Sequence, residues 1–546
     1  MTNTFGIKPA FKLLEDMALA HPNLPCLDFL DATMTYGEVL HAVRQAARGL
    51  QDLGVGKGVR VGLCLPNTPY YIIGYFATLM TGATVVNFNP LYTEDEIHEQ
   101  VMDSGIEVMF TLDLKTIYTK VAALLHTTPL RTVVVCSLAD ALPPVKGMLF
   151  KVFKRAQIAS PPTDLGHVPF DLLVADQGAP DPVDIDVERD IAVIQYTGGT
   201  TGTPKGAMLT HANITANVEQ VRMWLGDSKP GADRVLGVIP FFHVFAMTAA
   251  MNLGIAIGGE LILLPRYDLK QVLETIAAKH PTLFPAVPTI FAAIGHAEDV
   301  GDYDLSSLRY CISGGAALTQ ATKSTFETVS NSLVVEGYGL TEASPVVTCN
   351  PPRGVNKDGS IGLPLPSTTI EIRDLEDKRR QMPRGEHGEL FVRGPQVMAG
   401  YWNDKVDTED VLKDGWLRTG DVGYVDEDGY IFITDRIKDM INCSGFKVYP
   451  RRVEDALYRH PAVHEAVVIG VPDEYRGEAP KAFITLKPGA DVSEDALMAF
   501  AHGHLNPLER PTSVEIRDEL PKTLIGKLSK KELVQEHQYR QETRHG

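Results

Sequence analysis

The stretch that decides the fold reads Tyr196-Thr197-Gly198-Gly199-Thr200-Thr201-Gly202-Thr203-Pro204-Lys205-Gly206. It follows an apolar run at 191–194, which predicts a buried strand, and it precedes a predicted helix that begins near Thr210. Glycine lets backbone N–H groups approach a phosphate, threonine adds hydroxyl donors, and Lys205 adds a positive charge. A generic Gly/Thr run is more often an exposed surface loop, but the preceding strand and the terminal lysine favour an anion-binding loop. We call residues 197–205 the Gly/Thr loop.

The Gly/Thr loop differs from the two common phosphate motifs. It lacks the Gly-Lys-Ser/Thr ending of a P-loop and the G-x-G-x-x-G spacing of a dinucleotide fold. It resembles instead the phosphate-binding signature of the adenylate-forming superfamily, which comprises acyl-CoA synthetases, luciferases and peptide-synthetase adenylation domains. Because the pattern covers eleven positions, this resemblance is far more specific than a lone glycine triplet.

The composition limits the class of protein. A chain of 546 residues, 44% apolar and 22% charged, is typical of a globular protein with one large body and a smaller domain. A net charge of −18 argues against a nucleic-acid partner, which usually requires a basic surface. The six cysteines form no C-x-x-C pair, which argues against a disulfide scaffold or a zinc site. With no secretory segment and no spanning apolar run, we expect a cytoplasmic protein.

The order of predicted elements indicates an α/β fold. Strand-like and helical stretches alternate to about residue 300, which predicts parallel sheets with crossover helices in a large N-terminal domain. A Gly/Asp-rich meander, interpreted as a β subdomain, precedes residues 435–441, and a compact α+β pattern follows them. We therefore predict an adenylation core at 1–434, a hinge linker at 435–441 and a mobile C-terminal domain at 442–546.

One segment, residues 145–155, is basic and apolar together in an otherwise acidic chain. At helical spacing Leu149, Phe150 and Phe153 share a face, and four cations flank it. This is the composition of an interfacial helix on an anionic membrane, which would make the protein peripheral on the inner membrane face. A surface helix that packs its apolar side on its own protein is an equally weighted alternative.

Downstream of the Gly/Thr loop, residues 240–247 place three aromatic side chains around His243. A lone histidine in such surroundings is usually a core residue. However, residues 240–259 contain no acidic side chain, whereas a pocket for an amino acid needs a carboxylate to pair with its ammonium group. The segment, with His243 and Phe245, therefore favours a carboxylate substrate with an apolar tail.

Two further segments have the composition of a nucleotide site. The turn at Gly314, Gly315 and Ala316 offers bare backbone to a flat base, although a tight βα turn explains it equally well. Residues 336–342 are more specific. They provide an aromatic ring to stack on adenine, a hydroxyl for the α-phosphate and a carboxylate for Mg²⁺, which prefers hard oxygen ligands. These side chains belong to Tyr338, Thr341 and Glu342, and Gly339 lies between them.

Three residues near the C-terminus complete the pattern. Asp421 ends a Gly-Trp-x-x-Thr-Gly-Asp run and can accept both ribose hydroxyls, although a turn cap is its simpler interpretation. Arg436 follows fifteen residues later, where the ribose needs a donor. Lys527 follows a glycine on a Thr/Gly turn that can project into a neighbouring cleft, whereas an arbitrary lysine is usually only a surface residue.

These motifs occur in the order found across adenylate-forming enzymes, so the resemblance covers nearly the whole chain. It looks closest to bacterial long-chain fatty acyl-CoA synthetases, given residues 86–93, 359–364, 394–398 and 435–441. The resemblance implies a fatty acid–CoA ligase that uses ATP, Mg²⁺ and CoA. A fatty carboxylate forms acyl-AMP and releases pyrophosphate, and the CoA thiol then displaces AMP. The long-chain relatives also suggest a homodimer.

The resemblance implies a role for each matching residue. The catalytic residues are Lys205, Thr341, Glu342 and Lys527, and Glu342 is also the metal ligand. The residues that bind ATP or CoA are Thr197, Gly198, Gly199, Thr200, Thr201, Gly202, Gly315, Ala316, Tyr338, Gly339, Asp421, Arg436, Ser444 and Gly445. The acyl pocket contains His243, Phe245 and Gly314, Lys438 is the hinge of domain motion, and Lys481 is a weaker candidate for CoA phosphates.

Two departures from the family pattern lie in the C-terminal domain and bear on CoA contacts. Arg452 stands where relatives often have Glu, and Glu509-Arg510 stands where they often have Tyr-Lys. The alternative functions are a ligase for medium-chain or aryl acids, an adenylation domain that serves a carrier protein, and a non-enzymatic nucleotide-binding module. Only nineteen residues follow Lys527, which leaves no room for a fused carrier.

Overall fold

The computed structural model describes residues 5–162, 164, 166–175, 178–197, 204–226, 228–443, 446–473, 476–522 and 528–545. The described residues form two compact units. Those of 1–198, 204–369 and 393–415 belong to unit 1, and those of 370–392 and 416–546 belong to unit 2.

The α-helices are α1 Lys12–Ala20, α2 Tyr36–Asp52, α3 Pro69–Met80, α4 Glu94–Ser104, α5 Lys115–Ala122, α6 Pro144–Phe153, α7 Phe170–Leu173, α8 His211–Leu225, α9 Val244–Ala246, α10 Leu253–Ala256, α11 Leu269–Lys279, α12 Pro288–Gly295, α13 Gln320–Ser330, α14 Lys405–Val411, α15 Pro450–Tyr458, α16 Glu494–His504 and α17 Lys530–His545. A π-helix, Met247–Asn252, separates α9 from α10.

The strands are β1 Pro25–Phe29, β2 Ala32–Thr35, β3 Arg60–Cys64, β4 Thr84–Asn87, β5 Val108–Leu112, β6 Thr132–Cys136, β7 His167–Pro169, β8 Ile191–Tyr196, β9 Gly206–Thr210, β10 Arg234–Gly237, β11 Glu260–Leu263, β12 Leu283–Ala286, β13 Tyr310–Ser313, β14 Leu333–Gly339, β15 Val346–Cys349, β16 Leu363–Pro364, β17 Thr369–Arg373, β18 Gly388–Arg393, β19 Gly400–Tyr401, β20 Leu412–Lys413, β21 Trp416–Val425, β22 Ile431–Arg436, β23 Ile441–Cys443, β24 Phe446–Val448, β25 Val463–Asp473, β26 Gly477–Leu486 and β27 Ser513–Ile516.

Two large sheets build unit 1. One has the order β19-β9-β8-β4-β3-β5-β6-β7, and the other has the order β16-β15-β14-β13-β12-β10-β11-β1-β2. The central strands of both sheets are parallel; antiparallel pairs lie at the β19 end of the first sheet and at both ends of the second. Central strands such as β4, β5 and β12 are buried along their whole length, as expected where helices cover both faces of a parallel sheet. The predicted α/β architecture is confirmed.

Unit 2 contains two smaller sheets. The first includes β17, β18, β21 and β22 and corresponds to the Gly/Asp-rich meander, and its β21–β22 pair is antiparallel. The second has the order β24-β23-β26-β25, with β27 parallel to β26. Helices α15 and α16 pack with β25 and β27, which confirms the α+β pattern predicted for the C-terminal part. The predicted domain boundaries stay a prediction.

Local sequence signals located several elements correctly. The hydroxyl of Thr35 and the carboxylate of Glu38 form the predicted capping box at the start of α2. Thr210 caps α8 together with Asn213, so the predicted helix start is also confirmed. All six cysteines lie within the described residues, are buried and form no disulfide. None of the described helices has both the length and the apolar character that a membrane span requires.

The structure adds one strand that the sequence did not predict. The expected order was strand, Gly/Thr loop and helix, but β9 lies between the loop and α8 and pairs antiparallel with β8. The run 206–209 shows no alternation of apolar and polar residues, because β9 is buried at four of its five positions. The Gly/Thr loop therefore connects two strands of a hairpin, and the helix follows only after the second strand.

The burial of His211, the first residue of α8, indicates how the stability of the fold depends on pH. Its side chain is fully buried, and its Nδ1 accepts a hydrogen bond from the Ala10 backbone N–H at 3.0 Å. Burial lowers the pKa of His211 to about 4; the charge of Asp190 opposes this shift and the charge of Lys57 adds to it, both to a smaller extent. Between pH 6.5 and 4 the unfolded chain therefore binds a proton that the folded chain does not. Stability is retained above pH 6.5 and decreases as the pH falls, by up to about 3 kcal/mol.

The variant His211→Asn tests this prediction, because its amide oxygen can accept the same N–H but does not titrate. We expect the thermal midpoint of the wild type to decrease more steeply than that of the variant between pH 6.5 and 4.5. The other titrating groups contribute equally to the pH profiles of both proteins, so their effect cancels when the two profiles are compared. Parallel pH profiles would contradict the prediction.

Candidate active site

The ends of the Gly/Thr loop are held by the β8–β9 hairpin. Tyr196 lies opposite Gly206 in the ladder, and the Thr197 N–H donates to the Lys205 carbonyl oxygen at 2.9 Å. The backbone therefore fixes Thr197 and Lys205 side by side at the base of the loop. The predicted phosphate-binding residues Gly198, Gly199, Thr200, Thr201 and Gly202 lie outside the described residues.

Lys205 belongs to a cluster of polar side chains in unit 1. Its ammonium group forms an ion pair with Asp407 and lies 5.3 Å from the centre of the Tyr401 ring. The Tyr401 hydroxyl donates to Oε1 of Glu342 at 2.7 Å. The hydrogen bond from Lys205 lowers the pKa of Asp407, so this carboxylate stays ionised. The structure thus joins two residues predicted as catalytic, Lys205 and Glu342, through one tyrosine.

Backbone pairing explains why Tyr401 lies at this position. Strand β19 pairs antiparallel with β9, so that Tyr401 lies opposite Ala207. The Trp402 N–H donates to the Gly206 carbonyl oxygen at 2.7 Å, and the Met398 N–H donates to the Glu342 carbonyl oxygen at 2.9 Å. Burial, followed by the charge of Glu342, raises the pKa of Tyr401, so its hydroxyl keeps the proton that it donates.

Tyr338 lies on β14, and Thr341 and Glu342 follow shortly after this strand. Gly339, at the end of this strand, lies so close to Pro345 that an added Cβ would come within 2.1 Å of the Pro345 carbonyl oxygen. A larger residue would therefore displace the loop that follows. Thr341 and Glu342 lie on a single 3₁₀ turn and are half-buried.

Two contacts from other elements support this segment. The Asn217 amide, on α8, exchanges hydrogen bonds with the backbone of Val346 at 2.8 and 3.0 Å. The Thr248 hydroxyl, on the π-helix, donates to the Ser344 carbonyl oxygen at 2.7 Å. Because these contacts are buried or half-buried, they restrict where Glu342 can lie.

The turn at 314–316 lies at the same sheet edge. It follows directly after β13, whose last residue, Ser313, pairs with Glu336 near the end of the parallel strand β14. Gly315 has a φ of +86°, and Gly315 and Ala316 are exposed. Bare backbone at the carboxyl ends of parallel strands is a common location for a ligand.

The predicted acyl-pocket residues Phe245 and Gly314 contact each other. A Cβ on Gly314 would lie 2.9 Å from the Phe245 ring, so glycine is required for this close approach. His243 is half-buried, and its Nδ1 accepts a hydrogen bond from the Phe245 N–H at 3.3 Å. The π-helix that follows is fully buried, and such helices often occur near functional sites.

Unit 2 brings together the pair predicted to bind ribose. Asp421 and Arg436 lie opposite each other on β21 and β22, and their side chains form an ion pair at 2.9 Å. Asp421 is 2% exposed, and its backbone N–H donates to the Thr419 hydroxyl. Its carboxylate is therefore held by the fold as well as by Arg436.

The predicted hinge residue Lys438 is exposed on the 3₁₀ turn Ile437–Asp439. Just before it, the Asp435 carboxylate accepts the backbone N–H groups of Arg436 and Arg451, both at 2.8 Å. Burial raises the pKa of Asp435 to about 6. The residues predicted for CoA and for adenylation, Ser444, Gly445 and Lys527, lie outside the described residues.

The cluster fits Mg·ATP on chemical grounds. One carboxylate, that of Glu342, together with phosphate oxygens is the kind of ligand set that Mg²⁺ prefers. Lys205, at the base of the Gly/Thr loop, adds a positive charge beside it. Residues such as Tyr401, Asp407 and Asn217 were missed by the sequence analysis, because they lie in segments without a recognisable motif.

Comparison with known proteins shows similarity over most of the chain. The profile of the AMP-binding enzyme family matches residues 14–402, and that of the AMP-binding enzyme C-terminal domain matches residues 452–527. A long-chain-fatty-acid–CoA ligase of Bacillus subtilis (strain 168) is 44% identical over 96% of this chain and 94% of its own length. A long-chain-fatty-acid–CoA ligase of Yersinia pestis is 39% identical over 96% and 93%.

Among solved structures, ATP-bound MatB from Rhodopseudomonas palustris has a TM-score of 0.85 and 26% identity, and the match covers 97% of this chain and 98% of that one. The similarity therefore extends over both units and is not confined to the Gly/Thr loop. The chain belongs to the AMP-binding enzyme family, the adenylate-forming enzymes that its motifs predicted.

Proposed function

We propose that this AMP-forming CoA ligase activates a fatty acid. The fatty carboxylate attacks the α-phosphorus of Mg·ATP, which gives acyl-AMP and pyrophosphate, and the CoA thiol then forms the thioester and releases AMP. The observation that carries the proposal is the cluster of Lys205, Tyr401 and Glu342. In this cluster the Lys205 cation lies over the Tyr401 ring, and the Tyr401 hydroxyl donates to a carboxylate suited to Mg²⁺ at the base of the Gly/Thr loop.

The acyl-pocket segment supports a substrate with an apolar tail. Val244 and Phe245 are buried, as is the whole π-helix that follows, and residues 240–259 contain no acidic side chain. An ammonium group bound there would therefore find no carboxylate within the segment, and an unpaired buried charge is costly. A fatty acid brings only its carboxylate, which remains at the polar end of the site.

In the first half-reaction, the work of the protein is to position the reactants and to stabilise charge. Lys205 and the Gly/Thr loop hold the β- and γ-phosphates, and Thr341 contacts the α-phosphate. Glu342 would hold Mg²⁺, which when bound neutralises phosphate charge. Lys527 places its ammonium group between the carboxylate and the α-phosphate.

Other residues bind the rest of the nucleotide. Tyr338 stacks on adenine beside the turn at 314–316. The carboxylate of Asp421 accepts the ribose hydroxyls, and Arg436 donates to the ribose. The ion pair between these two side chains, in which the Asp421 carboxylate is buried and Arg436 is exposed, supports this role, because it holds the carboxylate in one orientation before the nucleotide binds.

In the second half-reaction, the C-terminal domain turns about Lys438 and brings Ser444 and Gly445 to the pantetheine of CoA. Such domain motions often limit turnover. Lys481 stays a weaker candidate for CoA phosphates; its ammonium group pairs with Glu515 at 2.8 Å and lies 4.8 Å from the Phe483 ring centre. A homodimer stays a prediction.

Pyrophosphate release with Mg·ATP tests the substrate class. The acids are acetate, octanoate, palmitate and benzoate, each with and without CoA. We expect turnover to increase with chain length and to require CoA for sustained cycling, because CoA removes the bound adenylate. Activity only with acetate or benzoate would support the adenylation reaction but contradict a fatty acid as the substrate. If no acid led to pyrophosphate release, the result would favour a non-enzymatic nucleotide-binding module.

The variant Lys527→Ala tests whether Lys527 acts in the first half-reaction and not in the second. We expect adenylation to slow by about 10²–10³-fold, by analogy with the loss of one transition-state donor. Thioester formation from supplied acyl-AMP should proceed at the wild-type rate, because this lysine is assigned only to the first step. Equal loss of both rates would contradict the assignment.

The variant Tyr401→Phe tests whether Tyr401 positions Glu342. It removes one hydrogen bond to a charged group, for which we expect an adenylation rate about ten- to a hundredfold lower. A higher Mg²⁺ concentration should be needed for half-maximal rate, whereas thermal stability should change little. Tyr303→Phe is the matched control, since the Tyr303 hydroxyl also bonds a carboxylate, that of Asp299. An unchanged Mg²⁺ dependence would show that Tyr401 does not orient Glu342.

A further inference from the structure

Helix α6 exposes its apolar side to solvent. The exposed fractions are 66% for Val145, 61% for Met148, 44% for Leu149, 66% for Val152 and 77% for Phe153. At about 100° per residue, these five side chains cover an arc of about 140° around the helix. We call them the α6 apolar face. Phe150, which the sequence spacing placed on this face, lies outside the arc and is half-buried.

The other sides of α6 attach the helix to unit 1 through a close backbone approach at Gly147 and two ion pairs. Gly147 is buried, and a Cβ at this residue would lie 2.3 Å from the Ala139 carbonyl oxygen. Lys146 forms an ion pair with Asp31 at 2.5 Å, and Lys151 forms one with Asp140 at 2.6 Å. The helix therefore does not pack its apolar side on its own unit, which was the alternative interpretation of the sequence.

Positive charge accompanies the α6 apolar face. Residues 144–155 contain four cations and no acidic residue, in a chain with a net charge of −18. Asp31 and Asp140 pair with two of these cations. The other two, Lys154 and Arg155, are exposed at the C-terminal end of the helix, and neither forms an ion pair within the described part of the chain. Lys146 and Lys151 flank the apolar arc on its two sides.

We propose that α6 is a docking surface for an anionic lipid bilayer. The five side chains of the α6 apolar face enter the boundary between headgroups and acyl chains, and Lys154 and Arg155 contact the anionic headgroups. An exposed apolar arc with cations beside it is the pattern of interfacial helices. Charge favours the bilayer over a second copy of this chain, because another copy would present the same cations.

The inference stands independently of the ligase reaction. If the proposed function is correct, the helix also places the enzyme at the surface into which fatty acids partition. An exposed apolar patch of this kind is uncommon on proteins that have no partner.

Co-sedimentation of the full chain with vesicles tests the docking surface. One set of vesicles contains phosphatidylglycerol and phosphatidylcholine, and the other contains phosphatidylcholine alone. The first variant is Val152→Glu with Phe153→Glu, which places charge on the α6 apolar face. The second is Lys154→Glu with Arg155→Glu, which reverses the exposed charge. Leu19→Glu on α1 is the matched control, since Leu19 is a helical side chain with 63% exposure.

We expect the wild type and Leu19→Glu to bind the anionic vesicles, with binding that weakens as salt is added. Both double variants should bind about tenfold more weakly or worse, because they lose buried apolar area or headgroup attraction. Pyrophosphate release with octanoate, a water-soluble substrate, checks that the variants are folded and separates failure of docking from failure of the ligase reaction.

Two outcomes would overturn the proposal. The first is equal binding of the wild type and the Val152→Glu, Phe153→Glu variant, including the absence of binding by both. The second is a change in oligomeric state by analytical ultracentrifugation without a change in vesicle binding, which would assign the face to a contact between copies of this chain.

Discussion

The antiparallel pairing of β9 with β8 on one side and β19 on the other is the constraint on which the site depends. One ladder closes the Gly/Thr loop at its base, and the other brings Tyr401 beside Lys205. Both ladders consist of backbone hydrogen bonds, so they hold the loop whatever its side chains are. The loop can therefore be rich in glycine, which offers N–H groups to a phosphate, while its ends remain fixed.

The positive charge of Lys205 is balanced by neighbouring groups of this acidic chain. Its ammonium group is paired with Asp407 and lies over the Tyr401 ring, so its charge is balanced before any nucleotide is bound. A phosphate that replaced Asp407 would keep that balance. In either state the charge of Lys205 would be paired, and an unpaired charge is the costly condition in a partly buried site. Tyr401 takes part in both interactions, because its ring lies under the cation and its hydroxyl holds Glu342.

The sequence indicated candidate site residues, but it did not indicate the contacts that join them. Lys205, Thr341 and Glu342 lie in continuous motifs whose composition indicates their chemistry, and the α/β architecture followed from the alternation of elements. Tyr401 could not be predicted in this way, because it lies about two hundred residues beyond Lys205 on a strand of two residues, too short for any periodicity. Strand β9 was missed for a similar reason, since a strand buried at nearly every position shows no alternation.

The two departures from the family pattern turn out to be a single feature. Arg452 and Glu509 form an ion pair at 3.2 Å in unit 2, where the carboxylate is buried and the guanidinium is largely exposed. A buried carboxylate without a cation beside it is costly, and Arg452 supplies that cation to Glu509. A change at Arg452 alone would leave the buried carboxylate without this ion pair, so the two departures depend on each other.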